Sequence, residues 1–245
     1  MAKMASIAVQ NLENLLKDKR LGSTLGRLRE VPRLLSSGVP ALDRVLGGGW
    51  CRGAMSEVIG RRSSGRTEVA LRTLAEATRH GQVVAFIDTC DRLDPRAAVA
   101  RGVDLDAVLW VRGAPLTVEM ARPPLIEHAV KHAVRACDLV LRAGGFGVVV
   151  LDLADIPMRR IQSLPAITWL RLGHTTEGQD TLCLLVGDAP IGRSALGASV
   201  EVRGRTNWTG TSSQSRRCGG VTSTFTVRAA RMPLPLGDRV RGVSA

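Results

Sequence analysis

Apolar runs of strand length alternate with amphipathic stretches of helix length along most of this chain. Residues 54–59, 83–88, 107–111, 148–152 and 181–186 are short and apolar, rich in Val, Ile and Leu, and predict strands. Residues 65–80, 94–102, 126–143 and about 161–172 carry helical spacing between them. Strands alternating with helices imply right-handed βαβ units and a mostly parallel sheet covered on both faces. Residues 198–203 and 222–228 alternate instead, and predict an antiparallel pair at the sheet edge. The polar stretch 206–220 between them reads as a mobile loop. Upstream, Ile7, Leu12, Leu15 and Leu16 suggest a short amphipathic helix, followed by a basic linker. The expected organisation is an N-terminal helix and linker over 1–33, an α/β core over 34–236 and a flexible basic tail over 237–245.

Composition narrows the partners. The 245 residues carry a formal net charge of +12, which favours anionic partners such as nucleic acid. Aromatic residues make up only 3%, with no Tyr, so stacking on single-stranded bases is poorly served. No apolar run reaches the length of a membrane helix, so a soluble, cytoplasmic protein without a membrane partner is expected. The five cysteines, Cys51, Cys90, Cys137, Cys183 and Cys218, form no C-x-x-C pair and argue against a zinc or disulfide framework. His128 and His132 have metal-pair spacing, but further ligands are not evident, and a packed or solvated helix face is the simpler reading.

One motif carries chemistry. Gly60-Arg61-Arg62-Ser63-Ser64-Gly65-Arg66-Thr67 lies between a predicted strand and a predicted helix, the context a phosphate loop requires. Glycines let the backbone curl so that N–H groups face phosphate, and the helix N-terminus adds positive potential. The pattern is complete except for its lysine, which is Arg66 here. A planar guanidinium keeps the charge without placing a compact ammonium between phosphates. The apolar strand 148–152 ends in Asp152, the arrangement in which a carboxylate holds Mg²⁺ through water. Gly60, Ser63, Ser64, Gly65, Arg66, Thr67 and Asp152 are therefore the candidate nucleotide-binding residues.

Residues Ser36-Ser37-Gly38-Val39-Pro40-Ala41-Leu42-Asp43, the phosphate loop, Ala85-Phe86-Ile87-Asp88, Leu93-Asp94-Pro95 and Gly102-Val103-Asp104-Leu105-Asp106 resemble the RecA family, and the resemblance spans about 12–236. It implies a RecA-like P-loop core, with ATP and Mg²⁺ as cofactors and DNA as a sequence-independent partner. The departures are specific. The family's water-positioning Glu falls on Cys90, its adenine-stacking Tyr on Ala97, and its γ-phosphate-sensing Asn-Gln pair on Gly187-Asp188. The loops after Asp152 and Asp188, which hold DNA in that family, are shortened. Arg159, Arg160 and Arg193 in those loops, with Arg216 and Arg217, are the candidate DNA contacts; no catalytic residue is assigned.

A narrower likeness runs from Gly47 to Val58, which resembles the opening segment of ImuA proteins, with Cys51 in place of the usual proline. ImuA proteins are RecA-like accessory factors of the bacterial translesion mutasome, distantly related to the division inhibitor SulA. The likeness implies an accessory protein of DNA repair, the SOS response and translesion synthesis, acting near the nucleoid. It also implies partners: a RecA filament, an ImuB-like Y-family polymerase homologue and an error-prone polymerase. A slow DNA-stimulated ATPase of recombinase type and a SulA-like regulator of cell division are the competing expectations.

Overall fold

The computed structural model describes residues 33–115, 122–192, 196–210, 215, 217–230 and 239–244. The chain divides into two compact units, Met1–Arg33 and Leu34–Ala245. The predicted N-terminal helix and linker fall in the first unit and, apart from Arg33, lie outside the described residues. The second unit holds the sheet, its helices and the phosphate loop.

The described chain begins with a local device. The Asp43 carboxylate accepts hydrogen bonds from Ser36 Oγ at 2.7 Å and from the Ser37 N–H at 2.8 Å. That fixes a turn leading into α1 (Pro40–Val45), whose first residue is a proline already set at helical φ. On either side, β1 (Leu34–Leu35) and β2 (Trp50–Cys51) pair antiparallel. Trp50 is fully buried, and its indole N–H donates to Thr73 Oγ1 at 3.2 Å.

The main sheet grows from β3 (Ala54–Ile59), β4 (Val84–Asp88), β5 (Val108–Arg112), β6 (Val148–Asp152) and β7 (Leu182–Gly187). It is completed by β8 (Leu196–Thr209), β9 (Arg217–Ala230) and β10 (Arg239–Ser244). The order is β10-β9-β8-β3-β7-β6-β4-β5. All ladders from β8 to β5 are parallel; β8–β9 and β9–β10 are antiparallel. Helices α2 (Arg66–Arg79) and α3 (Pro95–Ala100) belong to one face. On the other lie α4 (Pro123–Ala143), α5 (Met158–Gln162) and α6 (Ala166–Thr176). The two-residue period of the strands sorts the core between the faces. Val148, Val150, Leu184 and Phe86 pack with Val69 and Leu74 of α2, while Val149, Leu151, Leu185 and Ile87 pack with Val130 and Leu141 of α4. Because β4, β6 and β7 are buried on both sides, they read as nearly unbroken apolar runs.

Three expectations are corrected. The stretch 206–220 is not a loop throughout: β8 runs to Thr209 and β9 starts at Arg217, with Thr209 opposite Arg217. Polar Thr, Asn and Gly make a two-sided solvated ribbon look like loop in sequence, although Thr suits a strand. The tail expected over 237–245 contains β10, paired along Arg239–Ser244 with β9; Pro233, Pro235 and Gly237 disguise the short strand after them. The single helix expected near 161–172 is two helices, because Pro165 pushes Leu164 away from helical backbone.

Candidate functional site

In a parallel sheet, the carboxyl ends of the strands form the surface where loops gather and ligands bind. Here the ends of β3, β4, β6 and β7 bring together 60–67, Thr89-Cys90, Leu153–Asp155 and Asp188. A cleft of about 470 Å³ lies between the phosphate loop, Arg92, Arg101 and the chain after β6.

The loop has the expected curl. Gly65 takes φ 99° at the N-cap of α2, where a side chain would be strained and would crowd Ser223 Oγ at 2.9 Å. Gly60 is just as constrained, since a Cβ there would lie 2.4 Å from both Ser64 Oγ and the Val202 carbonyl. The loop is thus braced from behind by β8 and β9. Thr67 is exposed at its mouth, while the Ser64 hydroxyl is buried without a hydrogen-bond partner among the described residues.

Arg66 does something the sequence did not announce. Its side chain is only 5% exposed and turns across the loop. It donates to the Gly60 carbonyl, to Asp188 Oδ1 and, at 2.8 Å, to Asp155 Oδ1. The other Asp155 oxygen takes Arg92. The Asp155 N–H in turn donates to Asp188 Oδ1 at 3.0 Å. Asp155 sits at φ 63°, a left-handed backbone that Asp tolerates better than most residues. Burial pushes its carboxyl up, but the Arg66 hydrogen bond and the Arg92 and Arg66 charges outweigh this and hold it below the ordinary carboxylate range.

The remaining acidic groups are enclosed. Asp88 and Asp152 lie directly opposite each other on β4 and β6. Asp88 is committed to structure, accepting the N–H groups of Arg92 and Leu93 and the Trp110 indole N–H. Burial, with repulsion from Asp88, pushes the Asp152 carboxyl up to about 6, against the hydrogen bond from the Ala154 N–H. Cys90 is buried nearby, and burial and the Asp152 charge push its thiol up to about 12. It is a protonated, inert group at neutral pH.

A triphosphate with Mg²⁺ fits the backbone curl, Thr67 and Asp152. It does not fit the closed arrangement of Arg66, whose guanidinium is taken up by two carboxylates at the mouth where phosphate oxygens would lie.

Of the predicted DNA contacts, Arg159 is exposed on α5, and Arg160 on the same helix pairs with Glu127 at 2.5 Å. Arg217 is exposed at the start of β9; Arg193 and Arg216 lie outside the described residues. Because β8 runs parallel to β3, the β8–β9 ribbon projects on the carboxyl side of the sheet, as α5 does. Sequence reading missed Asp155 and Arg92, which no motif marks. It also missed Glu57, whose buried carboxylate accepts the Ile191 and Gly192 N–H groups and Ser199 Oγ. A glutamate inside an apolar strand was the available signal. The His128 and His132 rings lie against each other, centroids 4.0 Å apart and planes tilted by 40°.

Parallel order, a phosphate loop after the first long strand and an acidic end to β6 define an α/β protein of the P-loop class with a RecA-like core. The chain belongs to the RecA family: the RecA N-terminal domain family matches residues 8–157. It is 39% identical over 153 residues to Protein RecA of Salinispora tropica, covering 59% of this chain and 40% of that protein. It is 40% identical over 119 residues to Protein RecA of Corynebacterium jeikeium, covering 48% and 28%. The chain therefore spans well under half the length of these relatives. The fold is similar to that of the crystal structure of the RadB recombinase, with a TM-score of 0.57 and 17% identity, over 85% of this chain and 94% of that one. No described helix is long and apolar enough to cross a membrane.

Proposed function

We propose that this chain is a RecA-fold accessory protein of DNA repair and damage-induced mutagenesis that does not turn over ATP. It acts by binding a RecA filament and bringing an ImuB-like polymerase homologue and an error-prone polymerase to the lesion. The observation that carries this reading is Cys90. Hydrolysis needs a group beside the cleft that orients and deprotonates water, and a thiol pushed up to about 12 cannot serve. Asp88 cannot replace it, because both its oxygens are held by the chain just after β4. The Gly47–Val58 likeness and the shortened loops after β6 and β7 support the accessory role. DNA contact is sequence-independent and runs through Arg159, Arg160 and Arg217, with Arg193 and Arg216 as further contributors.

The test is turnover. The purified chain, with ATP, Mg²⁺ and single-stranded DNA, is expected to show none above background, while an active RecA assayed in parallel does. Turnover comparable to that RecA would instead support the second reading, a DNA-stimulated ATPase, which the intact curl of the loop and the exposed Thr67 favour. The partner claim is tested by co-sedimentation with RecA filaments, before and after deletion of residues 1–29. Retained binding by the folded truncation would rule out docking through that segment.

A further inference from the structure

We propose that Asp155 and Asp188 are the resident anions of this phosphate loop, closing it as an internal clasp that keeps polyphosphate out until the clasp is opened. This rests on the reading that the chain is not a working ATPase, and names what controls access to that same site.

A phosphate loop offers an anion curled backbone N–H groups, the positive end of a helix and one cationic side chain. In this chain the cationic side chain is Arg66, and its position is settled by protein groups. Asp155 lies just beyond β6 and Asp188 just beyond β7, so the guanidinium ties the start of α2 to the ends of two neighbouring strands. The two acids are not independent, because the Asp155 N–H donates to the Asp188 carboxylate that also takes Arg66. Arg92 holds the other face of Asp155. A carboxylate offers a guanidinium the same paired oxygens that a phosphate does. The arrangement is therefore complete without a ligand, and it is adverse to one. A polyphosphate entering the cleft meets Asp155 in its wall, with Asp188 on the same guanidinium from the other side of the loop, and like charges repel. It must also take Arg66 from partners already in contact. Asp188 is the more accessible of the two acids, its side chain 41% exposed against 20% for Asp155.

Asp155 and Asp188 thus decide the ligand class of the loop. With both in contact with Arg66, it serves as a structural joint. With both drawn away from Arg66, it presents Arg66, Thr67 and its backbone to a nucleoside polyphosphate.

The experiment measures binding of a fluorescent non-hydrolysable ATP analogue, with inorganic pyrophosphate as competitor, to the full chain. The wild type is expected to bind weakly. Asp155→Asn/Asp188→Asn is expected to bind about tenfold more tightly or better, with the gain lost on adding Arg66→Ala. Equal affinity of wild type and double variant overturns the clasp, and so does a folded double variant that binds nothing. Should the double variant not fold, Asp188→Asn alone, at the more exposed acid, is expected to give a several-fold gain, and no gain there overturns the proposal. ATP turnover by the wild type would sink the accessory reading whatever the affinities show. Equal affinities without turnover would sink the clasp alone.

Discussion

At the scale of single residues, the site is decided by what surrounds each carboxylate. Restoring an acid at position 90 does not restore chemistry, because the pocket is already crowded by Asp152, Asp88 and Asp155. Cys90→Glu is expected to show no ATP turnover and to lower stability by roughly 2–4 kcal/mol, the consequence of burying an acid without a partner. A thermal melt and a phosphate-release assay check both. Asp152 gives a pH signature. Its carboxyl is pushed up to about 6 in the fold from an ordinary 3.8, so the folded state holds the proton more tightly. Its contribution to stability is present at low pH and is lost as pH rises through 6. Asp152→Asn keeps an acceptor for the Ala154 N–H without the charge. It is expected to stabilise the protein by about 1–3 kcal/mol at pH 7.5 and by almost nothing at pH 4. A variant no more stable than wild type at pH 7.5 would contradict this. Asp155 runs the other way. Held below its ordinary value, it stabilises above pH 4, and that contribution fades as pH falls further.

Among elements, the strands that hold the site were the most legible. Residues 54–59 and 148–152 were read to the residue, because each is a short run bounded by glycine or a loop and buried along nearly its whole length. Helix α4 starts three residues before the predicted 126, since Pro123 and Pro124 look like breakers but suit a first helical turn. The far end of the β8–β9 ribbon was hidden because its exposed positions lack apolar contrast, and β10 because Pro233, Pro235 and Gly237 precede it. The phosphate loop itself was legible from spacing. Its closure was not, as Arg66 meets Asp155 and Asp188 across 89 and 122 residues of sequence, which no local pattern encodes. Glu57 belongs to this scale too. From the middle of β3 it pins the chain beyond β7 to β8 through Ile191, Gly192 and Ser199. Glu57→Gln places an amide against at least one of those donors. It is expected to destabilise by about 1–3 kcal/mol and to speed amide exchange at Ile191 and Gly192. Unchanged exchange there would remove Glu57 from its positioning role.

For the whole molecule, a net charge of +12 with only 3% aromatic residues sets how DNA would be held under the proposed function. Affinity for single-stranded oligonucleotides is expected to fall steeply with salt and to ignore sequence. Arg159→Ala with Arg217→Ala is expected to weaken binding uniformly and to flatten the logarithmic salt dependence by about 0.7 per arginine. Titrations at several salt concentrations check it, and a slope unchanged by both substitutions would move the contact elsewhere. The strand order has another consequence, which concerns the time course of synthesis. The strand leading into the phosphate loop, β3, has β7 on one side and β8 on the other, both encoded more than a hundred residues later. β4, β5 and β6 neighbour one another and can associate as they leave the ribosome, but β3 must wait with both edges bare. The segment 8–157 shared with RecA N-terminal domains stops short of both partners of β3. A nascent chain stalled there would expose an apolar strand able to pair with another chain, so chaperone capture during translation is expected to peak before β7 and β8 emerge.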